Sequence, residues 1–385
     1  MTDSPGAKLN AAPLRPAPGE AREAPSNRPV LIMAGGTGGH VFPALALARR
    51  LREESIEVIW LGTRRGIEAR LVPAQGIPIE WLSIGGLRGK GMATRLAAPW
   101  RLAVALWQAL RVMWRRRPSV VVGLGGFVTG PGGVAAWLTR RPLVIHEQNA
   151  IAGFTNRSLA HLAREVLEAF PGSFSAGVRT RAIGNPVRRE IAALPAPAER
   201  LGARKGPVRL LVIGGSQGAV RLNTVVPYAL ARVTGIRFDV RHQAGERWYE
   251  ACRQSYADAG VAAQVTAFID DMAEAYAWAD LAVCRSGALT VSELAAAGLG
   301  AVLVPFPAAV DDHQTYNARY LVRAGAAVLM ADRELTAERL AAELERLCAD
   351  RTRLIDMAGK ARSLARVDAT EQLAAACLGL SRRAA

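Results

Sequence analysis

Two apolar runs, each ending in a glycine-rich turn, constrain this chain more than any other feature. The first reads Leu31-Ile-Met-Ala-Gly-Gly-Thr-Gly-Gly-His40 and the second Leu211-Val-Ile-Gly-Gly-Ser-Gln-Gly-Ala219. A strand that ends in glycines and enters a helix leaves backbone N–H groups unpaired at the positive end of the helix dipole, and the missing side chains let an anion approach them. Each half of the chain therefore opens with a turn suited to phosphate. The length, 385 residues of which half are hydrophobic, is enough for two cores of ordinary size.

From Pro29 onward, short apolar runs alternate with longer helical stretches: Val30 to Ala34, Val58 to Leu61, Ser119 to Leu124, Leu143 to His146 and Glu165 to Phe170. That alternation predicts a parallel sheet with crossover helices. A segment from Ile183 through Gly184-Asn-Pro186 to Lys205-Gly-Pro207 breaks the rhythm, and a second series begins at Val208. The expected architecture is α/β, with two Rossmann-like doubly wound domains facing each other across a cleft. The predicted divisions are a disordered tail over 1–28, a first domain over 29–185 and a second over 186–367. The tail carries five prolines and no apolar run behind a basic start, so it reads as neither signal peptide nor anchor.

Several chemistries are disfavoured by what the motifs lack. The first turn has no third glycine of a G-x-G-x-x-G fingerprint, the second strand ends in Leu61-Gly-Thr63 without an acidic ribose ligand, and no Walker A sequence occurs. Gly214-Gly-Ser-Gln-Gly218 satisfies G-x-S-x-G, with Asp270 or Asp311 and then His313 downstream in hydrolase order. That reading leaves the first glycine turn without a role, whereas a phosphate-binding Ser216 uses both halves. The four cysteines, Cys252, Cys284, Cys348 and Cys377, form no C-x-x-C pair, so neither a disulfide framework nor a zinc site is expected. The acidic pairs Asp270-Asp271 and Asp311-Asp312 could hold a metal, but glycine turns can neutralise a pyrophosphate without one, and no metal or cofactor is predicted.

Net charge is +16, carried mainly by arginine beside only four lysines, which suits nucleic acid, an anionic membrane or phosphorylated substrates. Between Trp81 and His146 there is no acidic residue but ten basic ones, from Arg88 to Arg141, interleaved with Leu87, Met92, Leu96, Trp100, Trp107 and Trp114. The three tryptophans recur every seven residues and would share one helical face, while Arg101 and Arg111 rule out a transmembrane span. Two readings stay open for the helix: an interfacial face, or tryptophans packed on the sheet. The loop Gly85 to Pro99, with Leu87, Met92, Leu96 and then Trp100, is the expected membrane-facing part. No recognition helix, RNP-like strand or zinc module supports a nucleic-acid partner.

Six longer motifs point further: Gly35-Gly-Thr-Gly-Gly-His-Val-Phe-Pro-Ala44, Gly125-Gly-Phe-Val-Thr-Gly-Pro-Gly-Gly133, His146-Glu-Gln-Asn149, Gly184-Asn-Pro-Val-Arg188, Gly214-Gly-Ser-Gln-Gly-Ala219 and Cys284-Arg-Ser-Gly-Ala-Leu-Thr-Val-Ser-Glu293. Together they make the chain resemble the MurG family of peptidoglycan glycosyltransferases (GT-B fold, glycosyltransferase family 28) over roughly residues 29 to 380. The resemblance implies inverting transfer of N-acetylglucosamine from UDP-N-acetylglucosamine to the C4 hydroxyl of the muramoyl sugar in lipid I, giving lipid II. It implies donor contacts at Thr37, Gly38, Gly39, Asn149, Arg188, Ser216, Ile269, Ala288, Leu289, Thr290, Val291, Ser292, Glu293 and Gln314.

The same resemblance implies an acceptor reaching the first domain from the cytoplasmic face of the inner membrane. Its implied partners are the anionic leaflet and other proteins of wall synthesis and division. A last stretch from Asp368 is expected to pack back on the first domain, allowing closure about a hinge near 185 and 367. One base is the minimum for such a transfer, since UDP leaves as a stable anion. His40 is the first candidate, because imidazole with an ordinary pKa of about 6.5 is largely neutral at cytoplasmic pH; Glu147 is the second. Phe127 replaces a tyrosine common in the family, which puts any role for that hydroxyl in doubt. The competing functions are a cytosolic UDP-N-acetylglucosamine 2-epimerase of similar fold and a nonenzymatic membrane-surface nucleotide-sugar binder.

Overall fold

The structure is a computed structural model that describes residues 28–85, 98–215 and 218–383. Its first sheet has the strands β1 (Val30–Ala34), β2 (Val58–Gly62), β3 (Ile79–Trp81), β4 (Val120–Gly125), β5 (Leu143–Glu147), β6 (Glu165–Glu168) and β7 (Arg181–Ala182) in the order β3-β2-β1-β4-β5-β6-β7. The second has β8 (Val208–Ile213), β9 (Phe238–Gln243), β10 (Gln264–Thr266), β11 (Leu281–Cys284), β12 (Ala301–Leu303) and β13 (Ala327–Leu329) in the order β10-β9-β8-β11-β12-β13. All neighbouring pairs are parallel.

Helices cover both faces of each sheet, so every residue of β1, β2, β4, β5 and β11 is buried; β1, β2, β4 and β11 are continuous apolar runs, and β5 ends in His146 and Glu147. In both sheets the order reverses beside the strand that carries the glycine turn, β1 in one and β8 in the other. A reversal of that kind opens a crevice at the carboxyl ends of the strands, where ligands of doubly wound sheets bind. β6 ends two residues earlier than its apolar run. The buried Glu168 carboxylate takes the amides of Gly172 and Ser173 and the Thr180 hydroxyl, which turns the chain away from the ladder.

The helix Ala369–Arg383 returns to the first lobe, where Leu373, Ala374, Cys377 and Leu380 join the core under helix Gly38–Glu53. The two segments that run between the lobes touch at Gly184: at φ +89° its Cα faces Arg366, and a Cβ there would lie 2.5 Å from the Arg366 Cβ. Across the lobes Asn185 donates to the Gln148 carbonyl and to Ser292 Oγ, each at 3.0 Å. Ion pairs from Arg189 to Glu53 (2.9 Å) and to Glu371 (3.7 Å) close the outer side.

Helix Ala98–Arg116 resolves the ambiguity over the tryptophan stripe. Ala105, Ala109, Val112 and Met113 form its buried face, while Trp100, Trp107 and Trp114 are 75%, 58% and 62% exposed. The sheet side is filled by the two alanines together with Val112 and Met113, which leaves the indoles facing outward. Leu87, Met92 and Leu96 lie outside the described residues. Among the described residues no helix is long and apolar enough to cross a membrane.

Candidate active site

The first glycine turn is held from behind and from below. Glu68, fully buried, accepts hydrogen bonds from Gly36 N (2.9 Å), Thr63 N (3.0 Å) and Thr63 Oγ1 (2.8 Å), so the turn between β1 and helix Gly38–Glu53 is tied to the end of β2. Below it, Gly126 has φ +87°, and a Cβ there would stand 2.4 Å from the Gly35 carbonyl oxygen. The first two glycine motifs are therefore one structure, with backbone lying on backbone. Gly126→Ala combines an unfavourable φ, about 1–2 kcal/mol, with overpacking of about 1–3 kcal/mol. It is expected to lower both Tm and kcat, as a melting curve and a steady-state assay on one preparation will show.

Thr37, Gly36 and Gly39 are exposed and Gly38 half-buried, with helical bonds beginning at His40 N and Val41 N to the Thr37 carbonyl. His40 stands over Gly125, where a Cβ would come within 2.7 Å of its ring, and its Nδ1 lies 3.1 Å from Gln148 Oε1. Glu147, the second candidate base, does something else. Its carboxylate is 2% exposed and accepts from Asn149 N (2.9 Å), Asn149 Nδ2 (3.2 Å), Gly153 N (3.1 Å) and Asn156 Nδ2 (2.8 Å). With its lone pairs engaged by the loop after β5, Glu147 shapes that loop and has none directed at a substrate hydroxyl.

That loop meets the second lobe through Asn317, a residue the motifs did not single out. Asn317, fully buried, accepts from Ala150 N (2.8 Å) and donates to Asn149 Oδ1 (3.2 Å) and to the Ser286 carbonyl (3.2 Å). Asn149 is thus bonded on both sides, and it bridges Glu147 and Asn317. Gln314, one turn earlier on helix His313–Arg323, accepts from Phe306 N at 2.9 Å and shapes the loop after β12. The spacing of three between Gln314 and Asn317, on one helical face, was the available signal. Glu68 and Tyr276 gave no such signal.

In the second lobe, helix Ala288–Ala297 presents its N-terminus at the end of β11, and its first helical bond is Val291 N to the Gly287 carbonyl. The amides of Ala288, Leu289 and Thr290 precede that bond and point along the positive end of the dipole. The side chains divide. Leu289, Thr290 and Ser292 are half-buried, whereas Ala288 and Val291 pack in the core and offer only backbone. Ile269, half-buried, packs against the same core. Ser216 lies outside the described residues.

Glu293 is 8% exposed and sits between Tyr276, whose hydroxyl donates to Oε2 at 3.1 Å, and Arg188, whose Nε is 3.3 Å from Oε1. Burial holds the Glu293 carboxyl above the usual carboxylate range, against the opposing pull of Arg188 and of the Tyr276 hydrogen bond. The Tyr276 hydroxyl is itself pushed up, by burial first and then by Glu293. Arg188 is half exposed and follows directly on the interlobe segment.

Two sequence models match this arrangement lobe by lobe: the glycosyltransferase family 28 N-terminal domain over residues 30–168 and the C-terminal domain over residues 209–373. The chain belongs to glycosyltransferase family 28. A protein of Nitrosococcus oceani, named UDP-N-acetylglucosamine--N-acetylmuramyl-(pentapeptide) pyrophosphoryl-undecaprenol N-acetylglucosamine transferase, is 60% identical over 350 residues, covering 91% of this chain and 98% of that one. The same name is carried by a protein of Alkalilimnicola ehrlichii that is 59% identical over 351 residues, with the same coverage of each chain. The crystal structure of Acinetobacter baumannii MurG superposes with a TM-score of 0.82 at 43% identity, over 91% of this chain and 99% of that one. A calicheamicin glycosyltransferase, CalG4, shares the fold at 18% identity and a TM-score of 0.63.

Proposed function

We propose that this family 28 enzyme transfers N-acetylglucosamine from UDP-N-acetylglucosamine to the C4 hydroxyl of the muramoyl sugar of undecaprenyl-diphospho-muramoyl-pentapeptide, releasing UDP. The observation that carries this reading is the pairing of two glycosyltransferase lobes with relatives of nearly full length that bear the corresponding name. In the proposed step, the acceptor O–H bond breaks and its proton passes to His40 Nε2. The hydroxyl oxygen bonds to C1 of the donor sugar while the C1–O bond to the diphosphate breaks, its electron pair leaving with UDP. Attack opposite the leaving group inverts the α-linked donor to a β-linked product.

In this reading the helix N-terminus at Ala288 and the turn after β8 face the diphosphate, and Glu293 accepts the ribose hydroxyls once Arg188 swings from it toward phosphate. Thr37 to Gly39 and the bridge of Asn149 to Asn317 hold the two lobes at the reacting sugar. The test is UDP release from labelled donor with and without a short-chain lipid I analogue. Acceptor-dependent release with a β-linked disaccharide supports the transferase, and acceptor-independent turnover sinks it in favour of an epimerase or hydrolase.

The acceptor's lipid tail places the reaction at a membrane, and the outward stripe Trp100, Trp107 and Trp114 is the proposed contact with the anionic cytoplasmic leaflet. Nearby, a pocket of about 490 Å³ brings together Arg140, Arg141, Arg164 and Arg383 beside the exposed Trp137. Burial and the neighbouring Arg28 and Arg117 lower the Arg141 pKa, so an anion there relieves repulsion. At about 1 kcal/mol per basic residue near an anionic leaflet, a handful suffices for reversible attachment. The protein is expected to sediment with phosphatidylglycerol vesicles at low salt and to be released at high salt, and a Trp107→Ala/Trp114→Ala variant to bind more weakly at both. Equal sedimentation with neutral vesicles removes the leaflet from the proposal.

A further inference from the structure

His40 is one end of a hydrogen-bond chain whose other end is a backbone carbonyl between the lobes. His146 Nε2 lies 2.9 Å from the Gly184 carbonyl oxygen, Gln148 Nε2 lies 3.1 Å from both His146 Nδ1 and the His146 carbonyl, and Gln148 Oε1 lies 3.1 Å from His40 Nδ1. His146 is fully buried and Gln148 is 1% exposed.

The two backbone carbonyls set the direction of every proton in this chain. A carbonyl oxygen only accepts, so the Gly184 oxygen requires a proton on His146 Nε2, which leaves His146 Nδ1 as an acceptor in the neutral ring. The His146 carbonyl likewise requires the amide nitrogen of Gln148 on its side; a flipped amide would set oxygen against oxygen there and against the His146 Nδ1 lone pair. Gln148 Oε1 is then fixed toward His40, where it accepts, and His40 Nδ1 must carry the proton. The lone pair of the neutral His40 ring is left on Nε2.

Burial favours the neutral form of His146 that this pattern needs, lowering its pKa against weaker opposition from the Gly184 hydrogen bond and Glu147. Of the other titratable groups around the turn, Glu68 is bonded to Gly36 and Thr63, and Glu147 to Asn149, Gly153 and Asn156. Neither carboxylate is hydrogen-bonded to the His40 ring.

We infer that Gln148, oriented by His146 and the Gly184 carbonyl, is a positioning residue that selects the Nδ1–H tautomer of His40 and so leaves Nε2 free to take the acceptor's proton. The inference rests on the reading of His40 as the base. Its anchor is Gly184, whose φ of +89° and contact with Arg366 place it in the segment joining the lobes. The turn that connects the two halves of the enzyme thus also sets the protonation pattern of the base. A tautomer with the proton on Nε2 would present a donor to the acceptor hydroxyl, and loss of tautomer control alone is costly in other histidine-dependent enzymes.

The test combines ¹⁵N-histidine NMR of the whole protein with the kinetics of three variants. In the wild type the His40 ring, assigned by its loss in His40→Asn, is expected in the Nδ1–H form, and in Gln148→Met as a mixture or as Nε2–H. Gln148→Met is expected to lower kcat at least about tenfold with the KM for UDP-N-acetylglucosamine little changed. Gln148→Glu keeps an acceptor toward Nδ1 but sets its second oxygen against the His146 carbonyl and the His146 Nδ1 lone pair, so it is expected to lower kcat as well. An Nε2–H ring in the wild type, or an unchanged Nδ1–H ring in Gln148→Met, overturns the assignment of Gln148. Full activity in His40→Asn instead overturns His40 as the base, whatever the spectra show.

Discussion

Replacing His40 by asparagine is expected to lower kcat by about 10²–10⁴-fold, the usual contribution of a positioned general base. Asparagine is the informative replacement because its side-chain amide can still donate to Gln148 Oε1, as His40 Nδ1 does at 3.1 Å, while offering no basic lone pair. The turn should therefore hold its shape over Gly125, and binding of UDP-N-acetylglucosamine, measured by calorimetry, should stay close to wild type. A loss confined to the chemical step identifies the base. An equal loss of donor affinity would instead mean that His40 supports the binding turn. Single-turnover rates with a lipid I analogue separate the two, because they read the step after both substrates are bound.

The second large effect is expected at Glu293, in opposite directions for binding and for stability. Glu293→Gln should weaken donor binding about 10- to 100-fold, the scale of losing charge-assisted hydrogen bonds to the ribose hydroxyls. The same substitution should raise Tm at neutral pH. Burial raises the Glu293 pKa in the folded protein, so the protonated carboxyl suits the fold better than the ionised one. The penalty for ionisation is absent below the unfolded-state pKa, grows as pH rises toward the folded-state pKa, and stays constant above it. An amide never incurs it. The Tm difference between Glu293→Gln and wild type should therefore grow from acid to neutral pH and then level off. A flat difference would mean that the pair with the half-exposed Arg188, 3.3 Å away, offsets the burial. A binding site that destabilises its own fold until the ligand arrives is a common compromise between stability and function.

The local patterns of the chain carry most of the architecture. Apolar runs of five or six residues such as Val30–Ala34 and Val120–Gly125 have one stable fate in a chain that alternates them with helices, and glycines at their ends mark where the backbone must stay bare. Gly126 lies in a glycine motif for a reason the motif does not state: it rests on the backbone of Gly35, far earlier in the chain. The base candidates show the same limit. His40 and Glu147 are both titratable groups next to glycine-rich or turn-forming sequence, and nothing local tells them apart.

Residue spacing by itself determined the two lobes, the place of both glycine turns, the strand-to-helix entry that carries His40, and the common face of Trp100, Trp107 and Trp114. Periodicity and turn chemistry are properties of neighbouring residues, so they can be read along the chain. Tertiary structure decided that the tryptophan face points outward, that Glu147 organises a loop, that Asn317 and Glu68 brace the loops around the site, and that His40 Nδ1 meets Gln148 Oε1. Those outcomes depend on which buried donors and acceptors meet across long stretches of chain: Asn317 with Ala150, Glu68 with Gly36, His146 with the Gly184 carbonyl. A buried polar group takes its role from the partners that satisfy it, and only the folded chain brings them together.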